Sequence, residues 1–129
     1  MKAQITIEFI ALIAVGIIIM SISLIVLNTI LLDQVQQKQD ALLKNFGESI
    51  QSELLLAAKS PQGYTRTVVI PEMLQGHNYS ITSDVDGFSV STATAIYSFR
   101  APPLAGDGLA KGNNTLFMNS SGAIINSHT

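Results

Sequence analysis

From residue 9 to residue 32 the chain reads FIALIAVGIIIMSISLIVLNTILL, without a single charged side chain. As a helix, this run of about 24 residues is about 36 Å long, more than the roughly 30 Å of a hydrocarbon core. About sixteen of its residues are Leu, Ile, Val or Phe at about −0.3 to −0.6 kcal/mol each, which outweighs a penalty of about +3 kcal/mol for one acid. The segment predicts a membrane-crossing helix. Glu8, at its very edge, does not prevent insertion, so any need for that carboxylate arises elsewhere. A removable secretory signal has an apolar region of about 7 to 15 residues and closes on a small-residue cleavage site. This run is longer, and no A-x-A pattern closes it.

The rest of the composition narrows the function classes. With 129 residues there is room for one small domain and an extra element. Only 12% of residues are charged, about half the usual share, and a formal net charge of −2 gives no clustered basic surface for nucleic acid. Cysteine is absent, which excludes disulfides, thiolate metal sites and a Cys nucleophile. His77 and His128 have no metal-ligand spacing around them in the sequence, and Asp84-x-Asp86-Gly87 lacks the other ligands of a calcium loop and reads as a hairpin turn. No nucleophile, base and orienting acid occur together. The expectation is a non-enzyme without metal or cofactor.

Beyond the apolar run the helix is expected to continue to Lys59. Over residues 33–59 Leu42, Phe46, Ile50 and Leu54 recur every four positions, flanked by Leu43 and Ala57, while Gln37, Asp40, Lys44, Glu48 and Gln51 take the other side. Gly47 is the one interruption, and a strict coiled-coil repeat is missing. Ser60-Pro61-Gln62-Gly63 ends the helix. From residue 5 to residue 59 this predicts a rod of roughly 80 Å. Short β-type runs follow at residues 64–70, 79–83, 88–92 and 95–100, with a hairpin at Asp86-Gly87. Residues 100–114 read as loop, and a last hairpin joins 115–118 to 123–126 around Asn119-Ser120-Ser121-Gly122. The expected fold is α+β: a long helix, apolar and then amphipathic, packed on an antiparallel meander of five or six strands that the helix stripe covers.

Lys2-Ala3-Gln4-Ile5-Thr6-Ile7-Glu8-Phe9, leading into an uninterrupted apolar helix, resembles the class III signal peptide of archaeal type IV pilin-like proteins. That family carries Gln, then Ser or Thr two residues on, then Glu and Phe; Gln4, Thr6, Glu8 and Phe9 match. Ala3 stands where the family often has Gly, and both are small. VVIPEMLQGHNYSIT is also similar to the start of the β domain in such proteins. The resemblance implies a leader over residues 1–3 that a prepilin peptidase removes between Ala3 and Gln4, on the cytoplasmic side. It implies a transmembrane and assembly helix over 4–32, an amphipathic extension over 33–60 and an extracellular β domain over 61–129. It further implies a homopolymeric surface filament that serves adhesion, built with an assembly ATPase and a membrane platform. Glu8 becomes the fifth mature residue, favoured at a helix N-terminus by about 0.3 to 1 kcal/mol. Buried without a partner in a helix bundle it costs several kcal/mol, and pairing with the new α-amino group of Gln4, on the same or an adjacent copy, removes that cost in correct register. A single-span anchor carrying a binding module, or a minor subunit, is the alternative.

Three N-x-[ST] sequons, at Asn78, Asn113 and Asn119, mark possible glycosylation sites, with Asn113 expected in the longest loop. Lys2 on one side and Lys38 and Lys44 on the other leave the positive-inside rule undecided. The leader, the sequons and the resemblance together place the β domain outside. Gly16, Ser21 and Ser23 are candidates for close helix packing.

Overall fold

The computed structural model describes residues 1–120 and 124–128, and for 125–128 the backbone only. The helix α1 runs over Lys2–Lys59 and is followed by strands β1 Thr65–Ile70, β2 Ser80–Asp84, β3 Gly87–Ser91, β4 Ile96–Arg100, β5 Leu104–Gly106, β6 Gly112–Met118 and β7 Ile124–His128. The chain is thus α+β, one long N-terminal apolar helix and then a small, mostly antiparallel β domain. It divides into two compact units, Met1–Gln39 and Asp40–Thr129.

In the second unit the helix supplies one wall of the core. Leu43, Ile50, Leu54 and Ala57 are buried together with Ile70, Tyr79, Phe88, Val90, Leu109, Leu116, Met118 and Ile124. Helix spacing explains the choice: positions 43, 47, 50, 54 and 57 are separated by three or four residues and fall on one face. Of the expected stripe, Leu43, Ile50, Leu54 and Ala57 are buried, Leu42 and Phe46 sit half-buried at its border, and Gly47 is the one buried position the pattern did not name. Helix and sheet are also linked at the rim. Arg66 Nη2 donates to Glu53 Oε1 at 2.9 Å, and Gln51 Nε2 donates to the Arg100 carbonyl at 2.6 Å. A hydrogen bond with Tyr64, and then the Glu53 carboxylate, raise the Arg66 pKa above its ordinary value.

The helix runs through Gly47 as expected. Gly47 lies in the middle of the buried face, where a Cβ would lie 2.0 Å from the Phe99 ring. Phe99 is half-buried and stacks on Phe88 with centroids 5.3 Å apart, so one face of the ring is already occupied. Gly47→Ala gains about 1 kcal/mol of helix propensity but forces that stack apart, and overpacking of this kind costs about 1–3 kcal/mol. The expected result is a lower melting temperature for Gly47→Ala alone and a raised one when Gly47→Ala is combined with Phe99→Ala, measured against the Phe99→Ala parent.

The strands do not form one meander. β2-β3-β4 make a three-stranded antiparallel sheet, while the other sheet has the order β1-β6-β7-β5. β1 pairs antiparallel with β6, from Thr65 opposite Phe117 to Ile70 opposite Gly112. Such pairing of distant segments leaves no mark in local alternation. β5 lies inside the expected loop 100–114 and pairs parallel with β7. It follows Pro102-Pro103, whose rings keep the backbone extended, and its half-buried Leu104 packs against the core. Three residues are too few to show a period of two. The β2–β3 turn falls at Val85-Asp86, not Asp86-Gly87, because Gly87 is opposite Arg100 in the ladder and a Cβ there would meet the Phe99 carbonyl at 2.0 Å. Of the last expected hairpin, Ser121, Gly122 and Ala123 lie outside the described residues.

Two polar devices hold the loops. Asn114 is fully buried: its Oδ1 accepts from the Ala110 amide at 3.1 Å, and its Nδ2 donates to the carbonyls of Ala110 at 2.7 Å and Gly112 at 3.1 Å. A buried amide satisfied in this way fixes the approach to β6 instead of destabilising it. Tyr79 donates its hydroxyl to the Pro71 carbonyl, meets Phe46 edge-on at 5.3 Å and has Lys111 Nζ 4.7 Å from its ring centroid. Burial, and after it the Glu72 carboxylate, push its phenol up to about 12.

Candidate functional site

Unit Met1–Gln39 is exposed along its whole helix as far as residue 38. Its exposed residues are the wrong kind for water: Phe9, Ile17, Leu24 and Leu32 are each more than 60% accessible. An 18-residue window of this helix is apolar enough to cross a membrane, and none of that window is buried within the chain. An apolar patch of this extent on a single chain marks a surface that lipid or protein must cover. The functional candidate is therefore a helix surface, not a pocket.

Its polar groups are few, and most are already satisfied. Ser21 donates to the Ile17 carbonyl at 2.8 Å, Ser23 to Ile19 at 2.9 Å and Thr29 to Ile25 at 3.0 Å. These hydroxyls return to the backbone one turn earlier and present little polarity sideways. Gly16 has no atom within 4 Å of an added Cβ, so within the chain nothing requires it to be glycine. The Asn28 carboxamide makes no hydrogen bond among the described residues.

At the N-terminus the helix begins at Lys2, so the expected scissile bond between Ala3 and Gln4 lies in its first turn. The Ile5 amide donates to the Met1 carbonyl at 3.4 Å, and Thr6 Oγ1 to the Lys2 carbonyl at 3.0 Å. Gln4 and Glu8 are four residues apart and share a helix face. Phe9 lies beside Glu8 on the exposed surface, 63% accessible.

In unit Asp40–Thr129 the three sequons part company. Asn78 is exposed in the irregular segment before β2. Asn113 is exposed as well, but it belongs to β6, between β1 and β7 in the sheet, which removes the reason for preferring it as a loop site. Asn119 is half-buried just after β6, and Ser121 of its sequon lies outside the described residues. Glycan transfer requires the sequon backbone to leave its ladder, so the expected occupancy in native material is higher at Asn78 than at Asn113. Site-resolved mass spectrometry of the purified chain measures this directly.

No cluster of three or more His, Cys, Asp or Glu arranged for a metal ion occurs among the described residues. Asp84 and Asp107 line an open cleft beside β2 together with Leu104 and Leu109. Ser83 at that cleft is engaged, accepting from the Leu109 amide at 2.7 Å. No family model, curated protein or solved structure matches this chain.

Proposed function

We propose that the chain is a pilin-like structural subunit: inserted first as a membrane precursor, processed between Ala3 and Gln4, and polymerised through its apolar helix into an archaeal type IV pilus-like surface filament. Adhesion or surface attachment is the role of the filament, and the β domain, bearing glycans, faces outward. One observation carries this reading. The Gln4-x-Thr6-x-Glu8-Phe9 motif opens an unbroken helix that is exposed at every position through residue 38, while residues 43–57 of the same helix complete a folded core.

The chemistry at the start of the helix fits that role. Cutting after Ala3 creates an α-amino group at Gln4, one turn from Glu8. It also removes the Lys2 carbonyl to which Thr6 donates, so the hydroxyl is freed at the moment the amine appears. Two groups then change character together beside the carboxylate. In a bundle of apolar helices the Glu8 carboxylate needs a cation, and the amine is the one supplied by processing.

The mature N-terminus tests the proposal. N-terminal sequencing of the chain from its native membrane should give Gln4, and sheared surface material should contain it as filaments. A chain retaining Met1 and remaining monomeric in the membrane would overturn the proposal in favour of a single-span anchor presenting the β domain as a binding module.

A further inference from the structure

Among the described polar residues of the apolar run, Asn28 differs from its neighbours. Ser21, Ser23 and Thr29 each spend their hydroxyl on the backbone four residues earlier. The Asn28 carboxamide, with two N–H donors and a carbonyl acceptor, has no such outlet and is exposed.

Position makes this costly in lipid. If residues 9–32 are centred in the membrane, Asn28 lies about 11 Å from the midplane, inside the roughly 15 Å half-thickness of the hydrocarbon core. Its side chain is short, and every Cα–Cβ bond of an α-helix tilts toward the helix N-terminus. Here that direction is toward the bilayer centre, away from the nearer interface beyond Asp33. Reaching back to the headgroups, as long Lys and Arg side chains do, is closed to it. A carboxamide in hydrocarbon without a partner is unfavourable, and lipid tails offer none.

We infer that Asn28 pairs with Asn28 of a second copy of this chain, carboxamide to carboxamide, in a parallel in-register contact between their membrane helices. Three features favour a second copy over another partner. An amide that both donates and accepts is complementary to itself. Copies inserted by one route have one orientation, so their Asn28 side chains lie at the same depth. Lastly, the residues seven and fourteen positions earlier are Ser21 and Ala14, and a heptad returns to the same face within about 20°. Small side chains there let two backbones approach, and an Asn at one such seam position is the device by which paired helices set register. Glu8 is twenty residues away and on nearly the opposite side of the helix. The Asn28 contact is therefore separate from any pairing at the N-terminus. The inference rests on the membrane-spanning part of the proposed function and not on the filament.

The absence of cysteine makes the test clean. Full-length chains with a single introduced cysteine, Ser21→Cys on the Asn28 face or Ile19→Cys about half a turn away, are reconstituted in phosphatidylcholine vesicles and oxidised with copper phenanthroline. Covalent dimer is expected for Ser21→Cys and several-fold less for Ile19→Cys. Adding Asn28→Val to Ser21→Cys should lower the dimer yield about three- to twentyfold, the span of interhelix hydrogen bonds in membranes, and Asn28→Gln should retain part of it. Equal cross-linking on both faces, or no response to Asn28→Val, overturns the inference. Extraction of the chain by alkaline carbonate would instead overturn the membrane reading beneath it.

Discussion

Glu8→Ala is expected to leave the precursor in the membrane and correctly cut before Gln4, yet to reduce its recovery in filaments by at least tenfold. Removing one acid at the edge of the apolar run makes insertion easier, not harder. The scissile bond and its flanking small residue are untouched. What disappears is the carboxylate that would meet the Gln4 amine, and with it the term that distinguishes correct register from a helix slipped by a turn. Leaving the partner buried and unpaired costs about 3–5 kcal/mol, enough on its own for a tenfold loss per contact. Membrane fractionation, N-terminal sequencing and electron microscopy of sheared surface material separate the three steps. Abundant normal filaments from Glu8→Ala would exclude the pairing mechanism.

The second large effect falls in the folded unit. Leu54 is 1% exposed and packed in the core that α1 shares with the sheets, whereas its neighbour Leu55 is 42% exposed. Leu54→Ala removes three buried carbons and leaves a cavity that the surrounding strands fill only in part, for a loss of about 3–4 kcal/mol. For a domain of this size that lowers the melting temperature by about 15 °C. Leu55→Ala, one residue away and chemically identical, should cost less than about 1 kcal/mol. Thermal unfolding of the two variants in detergent micelles, followed by amide hydrogen exchange over β6 and β1, reads the contrast. Similar losses for both would mean that the helix face is assigned wrongly.

What the sequence made legible follows from the range of the signal. The long helix, its end at Ser60-Pro61 and most strand positions are carried by local composition and periodicity, and they stand within a residue or two. The core stripe was legible except at Gly47, which has no side chain to signal burial; its role is visible only once Phe99 is placed against it. Asn114 reads as loop polarity, and only the neighbouring carbonyls of Ala110 and Gly112 show why an amide can be fully buried there. β5 and the β1–β6 pairing depend on contacts between segments tens of residues apart, for which no short-range pattern exists. At the N-terminus the position was reversed. The motif residues Gln4, Thr6, Glu8 and Phe9 were plain in the sequence, while the structure added one contact that sequence could not give, the Thr6 hydroxyl on the Lys2 carbonyl.

The division of one helix between two units also bears on timing. Residues 43–57 belong to a core that is complete within Asp40–Thr129, so that unit has no need of residues 1–39 to close around. Its folding free energy is gained once, whatever medium surrounds the apolar half. Under the proposed function, a cell can therefore hold a reserve of chains that are already folded at one end and still dissolved in lipid at the other. Recruiting a chain from that reserve exchanges the surroundings of residues 1–39 and asks for no refolding, which makes the step as reversible as the contacts it forms.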